Sequence, residues 1–334
     1  MKLTLFGAQR YDRTFFDRVG RAHFAQCGYR IDYQESLLTE ATVALADGSD
    51  AVCVFVNDQV TRTVLAGLKE LGIRIVLLRC AGYNQIDLVA AQELGITVAR
   101  VPAYSPEAVA EHTLALIMTL NRHTHRAFNR VREGNFSLDG LLGQNLHGKT
   151  VGLIGTGKIG LATARIFSGF GCRVLGSDPV EASEFLACGE YVALDTLLAQ
   201  SDIVSLHCPL LPATHHLIDA DTLALMKPGA MLVNTSRGAL VDTRALIAAL
   251  KSRRLGALAI DVYEQEGPLF FQDRSFEIID DEVFQRLMSF PNVLVTGHQG
   301  FFTEEAMTEI AMVTLENLQE WERTGSCTNR VLPD

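Results

Sequence analysis

Nowhere in this 334-residue chain is there an apolar run approaching the roughly eighteen residues a membrane helix needs. The opening "MKLTLFGAQRYD" turns polar after a short apolar stretch, as a first strand does and a signal peptide does not. Positive charge is also in short supply. Lys and Arg number 29 against 39 Asp and Glu, a formal net charge of −10, which argues against a phosphate-backbone partner. The basic run "NRHTHRAFNRVR" reads as a solvated helix face. No low-complexity tract occurs, and a hydrophobic share of 48% allows a large core in two domains. The seven cysteines contain no CxxC pair, and their odd number and irregular spacing fit free thiols in a reducing cytoplasm. Clustered metal ligands are lacking too. His215 and His216 are adjacent, and neighbours in an extended segment point apart, so no metal site is expected.

What the chain has is alternation. Apolar runs at "KLTLF", "YRIDYQ", "AVCVFV", "IRIVLL" and "ITVAR" are separated by helix-like segments such as "TRTVLAGLKELG", where Thr61 caps and Gly72 terminates. "SPEAVAEHTLALIMTLNRHTHRAF" reads as one long helix opening at Ser105–Pro106, apolar through its middle. The alternation then resumes with "TVGLIG", "CRVLGS", "IVSLHC", "AMLVNT", "LGALAI" and "NVLVTG", and a last helix is expected from about Glu304 to Glu322 behind Thr303. This pattern predicts an α/β fold with two Rossmann-like or flavodoxin-like doubly wound parallel sheets and a cleft between them. Residues 1–102 plus about 299–334 are expected to form an outer, substrate-binding domain. Residues 103–298 are expected to form a dinucleotide-binding domain.

"VGLIGTGKIG" is a strand followed by Gly155, Gly157 and Gly160 in G-x-G-x-x-G spacing, then an amphipathic helix. The first glycine permits a sharp turn, the second admits a pyrophosphate to the backbone, and the third brings helix and strand together. Lys158 and Ile159 offer N–H groups at the helix start, where an anion is favoured. The next strand ends in Asp178, placed to accept from ribose hydroxyls and to repel a 2′-phosphate. NAD is therefore expected over NADP.

Three later strands end in polar residues: Thr235, Ser236 and Arg237 after "AMLVN", Asp261 and then Glu266 after "LGALAI", and His298 within "TGHQGF". In one parallel sheet these ends share the edge that carries the glycine loop. Arginine offers a planar fork for a substrate carboxylate. An imidazolium can protonate a carbonyl oxygen as hydride arrives, and a glutamate beside it favours the charged ring. That set suits hydride transfer to a 2-oxo acid.

With these motifs, and with "AVCVFVND", "LRCAGYNQID", "RVPAYSPEAVAEH", "VNTSRGALVD", "DVYE" and "LFFQDRS", the chain resembles the NAD-dependent D-2-hydroxyacid dehydrogenases along essentially its whole length. It is most similar to the fermentative bacterial branch that reduces pyruvate to D-lactate. The resemblance implies that Arg237 binds substrate, His298 donates the proton and Glu266 is its partner. It also implies that Ala81, Gly82 and Tyr104 hold the small acid and that Phe301 closes the pocket. Lys158, Ile159, Asp178, Cys208, Pro209, Thr214, Thr235, Ser236 and Asp261 would contact the cofactor. A cytoplasmic homodimer or homotetramer is implied, built on the helix near 106–125. Reduction of another 2-oxo acid, or a dinucleotide-sensing corepressor on the same scaffold, are the competing readings. Gly267–Pro268 departs from the family pattern and leaves the loop after Glu266 open.

Overall fold

In the computed structural model, which describes residues 1–333, the chain divides into two units. One comprises residues 1–105 with the C-terminal segment from Phe301, and the other comprises residues 106–300.

The first unit is built on β1 (Lys2–Leu5), β2 (Arg30–Tyr33), β3 (Ala51–Val54), β4 (Ile75–Leu78) and β5 (Thr97–Arg100), paired in the order β2-β1-β3-β4-β5. Every pairing is parallel. The central strands "AVCV" and "IVLL" are buried at every position, as strands covered on both faces must be. The expected cap at Thr61 accepts the Val64 N–H at 3.3 Å, and Gly72 takes a positive φ just past the helix end. The helix Glu304–Thr324 starts where Thr303 Oγ1 accepts the Ala306 N–H and stops at Gly325 in the left-handed region. Its Ala311, Leu315 and Leu318 join Leu3, Leu5, Phe16, Val19, Ile75 and Leu77 in one core.

A buried charge sits in that unit. Arg79 is 3% exposed; it pairs with Asp12 at 3.3 Å and donates to the Gly7 carbonyl at 3.0 Å. Its guanidinium also lies 5.0 Å from the centre of the Phe55 ring. Asp58, close by, accepts the backbone N–H groups of Leu38 and Phe55, and burial raises its pKa.

The second unit contains β6 (Thr150–Ile154), β7 (Arg173–Ser177), β8 (Glu190–Tyr191), β9 (Ile203–Leu206), β10 (Ala230–Asn234), β11 (Leu255–Ile260) and β12 (Val293–Val295). The order β12-β11-β10-β9-β6-β7-β8 reverses at β6, and all pairs are parallel. This is the doubly wound dinucleotide-binding arrangement with one strand added beyond the usual six. β8, only two residues long, is not visible in the apolar pattern.

The single long helix expected over 105–128 is two helices, Pro106–Asn121 and Thr124–Arg132. His123 breaks them, with φ 52°. The side chain of Asn121 donates to the Gln144 carbonyl at 2.7 Å and accepts the Gln144 N–H at 3.1 Å, tying the helix end to a returning loop. Gly143 makes that approach possible, because a Cβ there would lie 2.5 Å from the Asn121 carbonyl. No proline or glycine marks the break in the helix itself. Among the described residues, no helix is long and apolar enough to cross a membrane.

Leu315 is fully buried in the first unit's core. Leu315→Ala should cost about 2–5 kcal/mol, the usual range for a buried leucine. Urea denaturation checks this, and a variant as stable as the wild type would exclude the last helix from that core.

Candidate active site

The registers of the second unit set one row of residues across its sheet: Ser177, Ile154, Leu206, Asn234, Ile260 and Val295 are successive partners. Because the strands are parallel, whatever follows each of these leaves the same edge. Asp178, Gly155, His207, Thr235, Asp261 and Thr296 therefore stand side by side. The glycine loop and the polar strand ends are neighbours by construction.

Gly155 turns with φ 92°, and a Cβ there would lie 2.5 Å from the Cys208 nitrogen. A Cβ on Gly160 would meet the Gly155 carbonyl at 2.1 Å, so the helix Lys158–Gly169 rests directly on the turn. Gly157 differs, since a Cβ there would meet nothing within 4 Å. Internal packing does not demand that glycine, and the open space lies where a helix N-terminus favours a phosphate. Asp178 accepts from the N–H groups of Thr156 at 2.7 Å and Val180 at 2.9 Å, one on each oxygen. A carboxylate has about four acceptor sites, so capacity for ribose hydroxyls remains. These features fit a dinucleotide.

Further along the edge, the Ser236 hydroxyl donates to the Cys208 carbonyl at 2.7 Å, joining the ends of β10 and β9. Thr235 shares a 2.9 Å bond with Thr113, and Thr214 donates to the Pro209 carbonyl at 2.6 Å, closing the 209–214 loop. Arg237 is half-buried, and its Nη1 donates to the Ser236 carbonyl at 2.7 Å. The next residue must be glycine: a Cβ on Gly238 would fall 2.1 Å from the Tyr263 carbonyl carbon. The arginine turn thus lies against the segment that leads to Glu266.

His298 Nδ1 lies 2.7 Å from Glu266 Oε1, with side chains 13% and 22% exposed. Glu266 Oε2 accepts the Tyr263 N–H at 2.9 Å, so both carboxylate oxygens are used in fixing the pair. The loop after it closes on itself through Phe270 N–H donating to the Glu266 carbonyl at 2.8 Å, with Gly267–Pro268 at its tip. His298 itself has φ 55°, a region non-glycine residues seldom enter. Its N–H donates to the Asp261 carbonyl at 2.7 Å, while the Asp261 carboxylate accepts from Gln299 N–H at 2.9 Å and Gly300 N–H at 2.7 Å. Thr296 Oγ1 also donates to that carboxylate, and His112 Nε2 lies 3.2 Å from it. His207 offers a contrast. Burial pushes its pKa down to about 4, and its Nε2 bonds the Ser205 hydroxyl at 3.0 Å, so it stays neutral. The edge therefore presents a guanidinium, a histidine–carboxylate pair and a phosphate-ready turn together.

Residues 114–300 match the family model described as the NAD-binding domain of D-isomer-specific 2-hydroxyacid dehydrogenases. The chain is 58% identical over 333 residues to 2-hydroxyacid dehydrogenase A of Aspergillus oryzae, covering 99% of this chain and 95% of that one. The apo-structure of D-lactate dehydrogenase from Escherichia coli superposes with a TM-score of 0.89 at 48% identity, over 99% of this chain and 100% of the other. The NAD-complexed D-isomer-specific 2-hydroxyacid dehydrogenase of Lactobacillus delbrueckii ssp. bulgaricus does so with a TM-score of 0.82 at 31% identity, over 99% and 100%. The chain belongs to the D-2-hydroxyacid dehydrogenase family. It is an NAD-dependent oxidoreductase.

In the first unit of the dehydrogenase, Tyr104 and Phe301 meet edge to face with centroids 6.3 Å apart, and Phe301 stands 5.5 Å from Phe55. The Ala81 carbonyl accepts from Arg100 Nη1 at 2.9 Å, and the Gly82 carbonyl accepts from the Cys80 thiol at 3.2 Å. Phe55 and the Arg79 cluster beneath it escape detection in the sequence because a buried arginine in "LLRCAG" looks like any surface cation. His112 and Thr296 are missed for the same kind of reason; only the fold brings them to Asp261.

One premise fails. His215 and His216 do not point apart: His216 adopts φ 50°, and the two rings stack with centroids 4.0 Å apart. With Glu264 they bring ligand-type atoms within 4.8 Å of one another. The Glu264 carboxylate is already engaged, by His216 Nε2 at 2.7 Å and by the Thr243 hydroxyl at 3.0 Å.

Asp261 is 1% exposed; burial alone would raise its pKa, but bonds from His112, Thr296 and Gln299 outweigh it and hold the group below the ordinary carboxylate range. A folded pKa below the unfolded one means that the charge stabilises the fold above about pH 4 and that this contribution is lost as pH falls through the lowered value. Asp261→Asn should be less stable than wild type at pH 7 by about 1–3 kcal/mol, the range for disrupted buried bonds. The gap should narrow below about pH 4. Urea midpoints measured across that range check it, and a gap independent of pH would mean that the charge does not hold the turn.

Proposed function

We propose that this dehydrogenase reduces pyruvate to D-lactate with NADH, reversibly, and that His298 supplies the proton. The observation that carries the reading is the 2.7 Å bond between His298 Nδ1 and Glu266 Oε1, on the sheet edge that also bears the glycine loop and Arg237. Substantial identity to an enzyme named D-lactate dehydrogenase supports the choice of substrate.

Bound NADH supplies the hydride. Arg237 takes the substrate carboxylate in a two-pronged bond, which fixes the carbonyl carbon for attack. As hydride arrives, the carbonyl electron pair moves onto oxygen, and His298 transfers the proton on Nε2 to that oxygen. Glu266, at Nδ1, stabilises the imidazolium before transfer and keeps the ring oriented. Ala81, Gly82, Tyr104 and Phe301 are assigned to holding the acid. Gly155, Gly157, Lys158, Ile159, Gly160, Asp178, Cys208, Pro209, Thr214, Thr235, Ser236 and Asp261 are assigned to the cofactor, several through backbone placement. Reduction consumes a proton and lactate oxidation releases one, so the two rates should respond to pH in opposite directions. A cytoplasmic homodimer or homotetramer belongs to the same reading. The helix near 106–125 is assigned to its contact, and Phe128 and Val131 on the following helix Thr124–Arg132, with Phe136, Leu138 and Leu142 after it, are more than half exposed and suit extension of that contact.

The test is kcat/KM across a panel of 2-oxo acids, with NADH affinity read separately by fluorescence. Pyruvate should lead the panel. His298→Ala should lower kcat/KM on the order of 10²–10⁴-fold, the usual range for a lost general acid, while NADH still binds. Arg237→Lys should also fall steeply, since it keeps the charge and loses the fork. Near-normal turnover by either variant would overturn the role assigned to it, and preference for another acid would overturn pyruvate.

The assignment of Asp178 has its own check. Wild type should prefer NADH to NADPH, and Asp178→Ala should narrow that preference by weakening NADH and relieving repulsion of the 2′-phosphate. An unchanged ratio of the two kcat/KM values would remove Asp178 from the ribose.

A further inference from the structure

The two-residue strand β8 ends in Tyr191, whose hydroxyl bonds two segments that are distant in sequence. It lies 2.8 Å from Thr156 Oγ1, in the middle of the glycine turn, and it accepts the Ala182 N–H at 2.9 Å, in the loop that follows Asp178. Thr156 is in turn bound to Asp178, donating its N–H to the carboxylate at 2.7 Å. Phosphate turn, ribose acid and the loop beyond it thus form one closed circuit through a single phenol.

The ring that carries this hydroxyl is itself fixed. Tyr191 lies 4.8 Å from the fully buried Phe185 ring, and Gly176 and Gly189 leave room for that ring, since a Cβ on either would come within 3 Å of it. Tyr191 also stands opposite Gly176 in the parallel register, and the Val192 N–H donates to the Gly176 carbonyl at 3.0 Å. Thr156, 2% exposed, has a short side chain whose polar atom is directed to that phenol.

We infer that Tyr191 is a positioning residue for the adenosine-diphosphate half of the cofactor: its hydroxyl presets the distance between the phosphate turn and the Asp178 loop before the dinucleotide arrives. It touches no reacting atom. Its effect is to spare the cofactor the ordering of two loops, which is how preorganisation raises affinity. The inference rests on the dinucleotide reading of this site and deepens it.

Tyr191→Phe removes the hydroxyl and keeps the ring. Dissociation constants for NADH and for ADP-ribose, which lacks the nicotinamide, should both rise about tenfold, equivalent to one to two modest hydrogen bonds. Turnover at saturating NADH and the KM for the 2-oxo acid should stay within about twofold, because the hydride and proton steps are untouched. Thr156→Val should weaken binding similarly, and adding it to Tyr191→Phe should cost little more, as expected for two ends of one bond. Thr156→Ser, which restores the hydroxyl, should bind as wild type does. A purely structural role for the ring would instead lower stability without this rescue. Wild-type affinity for ADP-ribose in Tyr191→Phe, full additivity in the double variant, or a loss confined to kcat would each overturn the inference. If the wild-type protein itself bound neither NADH nor ADP-ribose, the dinucleotide reading would fall first.

Discussion

One buried carboxylate organises the sheet edge that carries His298. Asp261 ends β11 at 1% exposure and gathers Thr296, Gln299 and Gly300 around its oxygens, with His112 behind it. A lone buried charge is costly, and these donors offset that cost while holding the chain after β12 in a tight turn. His298 enters the left-handed region as a consequence, held there by its own N–H on the Asp261 carbonyl. The strain is of order 1–3 kcal/mol, and the neighbouring bonds over-determine the position. With the backbone so fixed, Glu266 at 2.7 Å from Nδ1 orients the ring.

A second constraint works through absence. Gly238 lets the arginine turn press on the Tyr263–Glu264 backbone, and Gly160 lets a helix rest on Gly155. In both cases two loops share space that no side chain can occupy. The relative placement of guanidinium, carboxylate and glycine turn therefore depends on backbone lying directly against backbone. Gly157 stands apart, because its emptiness faces outward and is available to a ligand.

Most of this architecture was legible in the sequence, for a physical reason. A strand in a covered parallel sheet is mostly apolar, and polar residues clustered just past its end stand out, so "AMLVNTSRG" or "NVLVTGHQG" advertises both strand and candidate site. β8 has two residues and no such run, so it stayed hidden, and Tyr191 with it. The break at His123 was hidden because it coincides with Asn121 bonding to residue 144, a contact that local propensity does not register. The stacking of His215 on His216 depends on one positive φ, and an extended-segment argument has no means of anticipating it. Arg79 and Asp12 are far apart in sequence, and only burial makes them partners. What the pattern conveys is periodicity and composition; what it omits are polar contacts, such as Asn121 with Gln144 or Arg79 with Asp12, that no motif or strand end announces.

The helix Glu304–Thr324 completes the core of the first unit, yet it is translated after the whole of the second. During synthesis the first hundred residues leave the ribosome with Leu3, Leu5 and Phe16 lacking the surface supplied by Ala311, Leu315 and Leu318. The nucleotide-binding unit, continuous in the chain, can close its sheet while its elder neighbour waits. The first unit can therefore complete its core only after the second has been synthesised, and a nascent chain stalled before residue 304 would carry an N-terminal sheet whose apolar face lacks the cover of that helix. Such a chain would be a natural client for chaperones that bind exposed aliphatic surface.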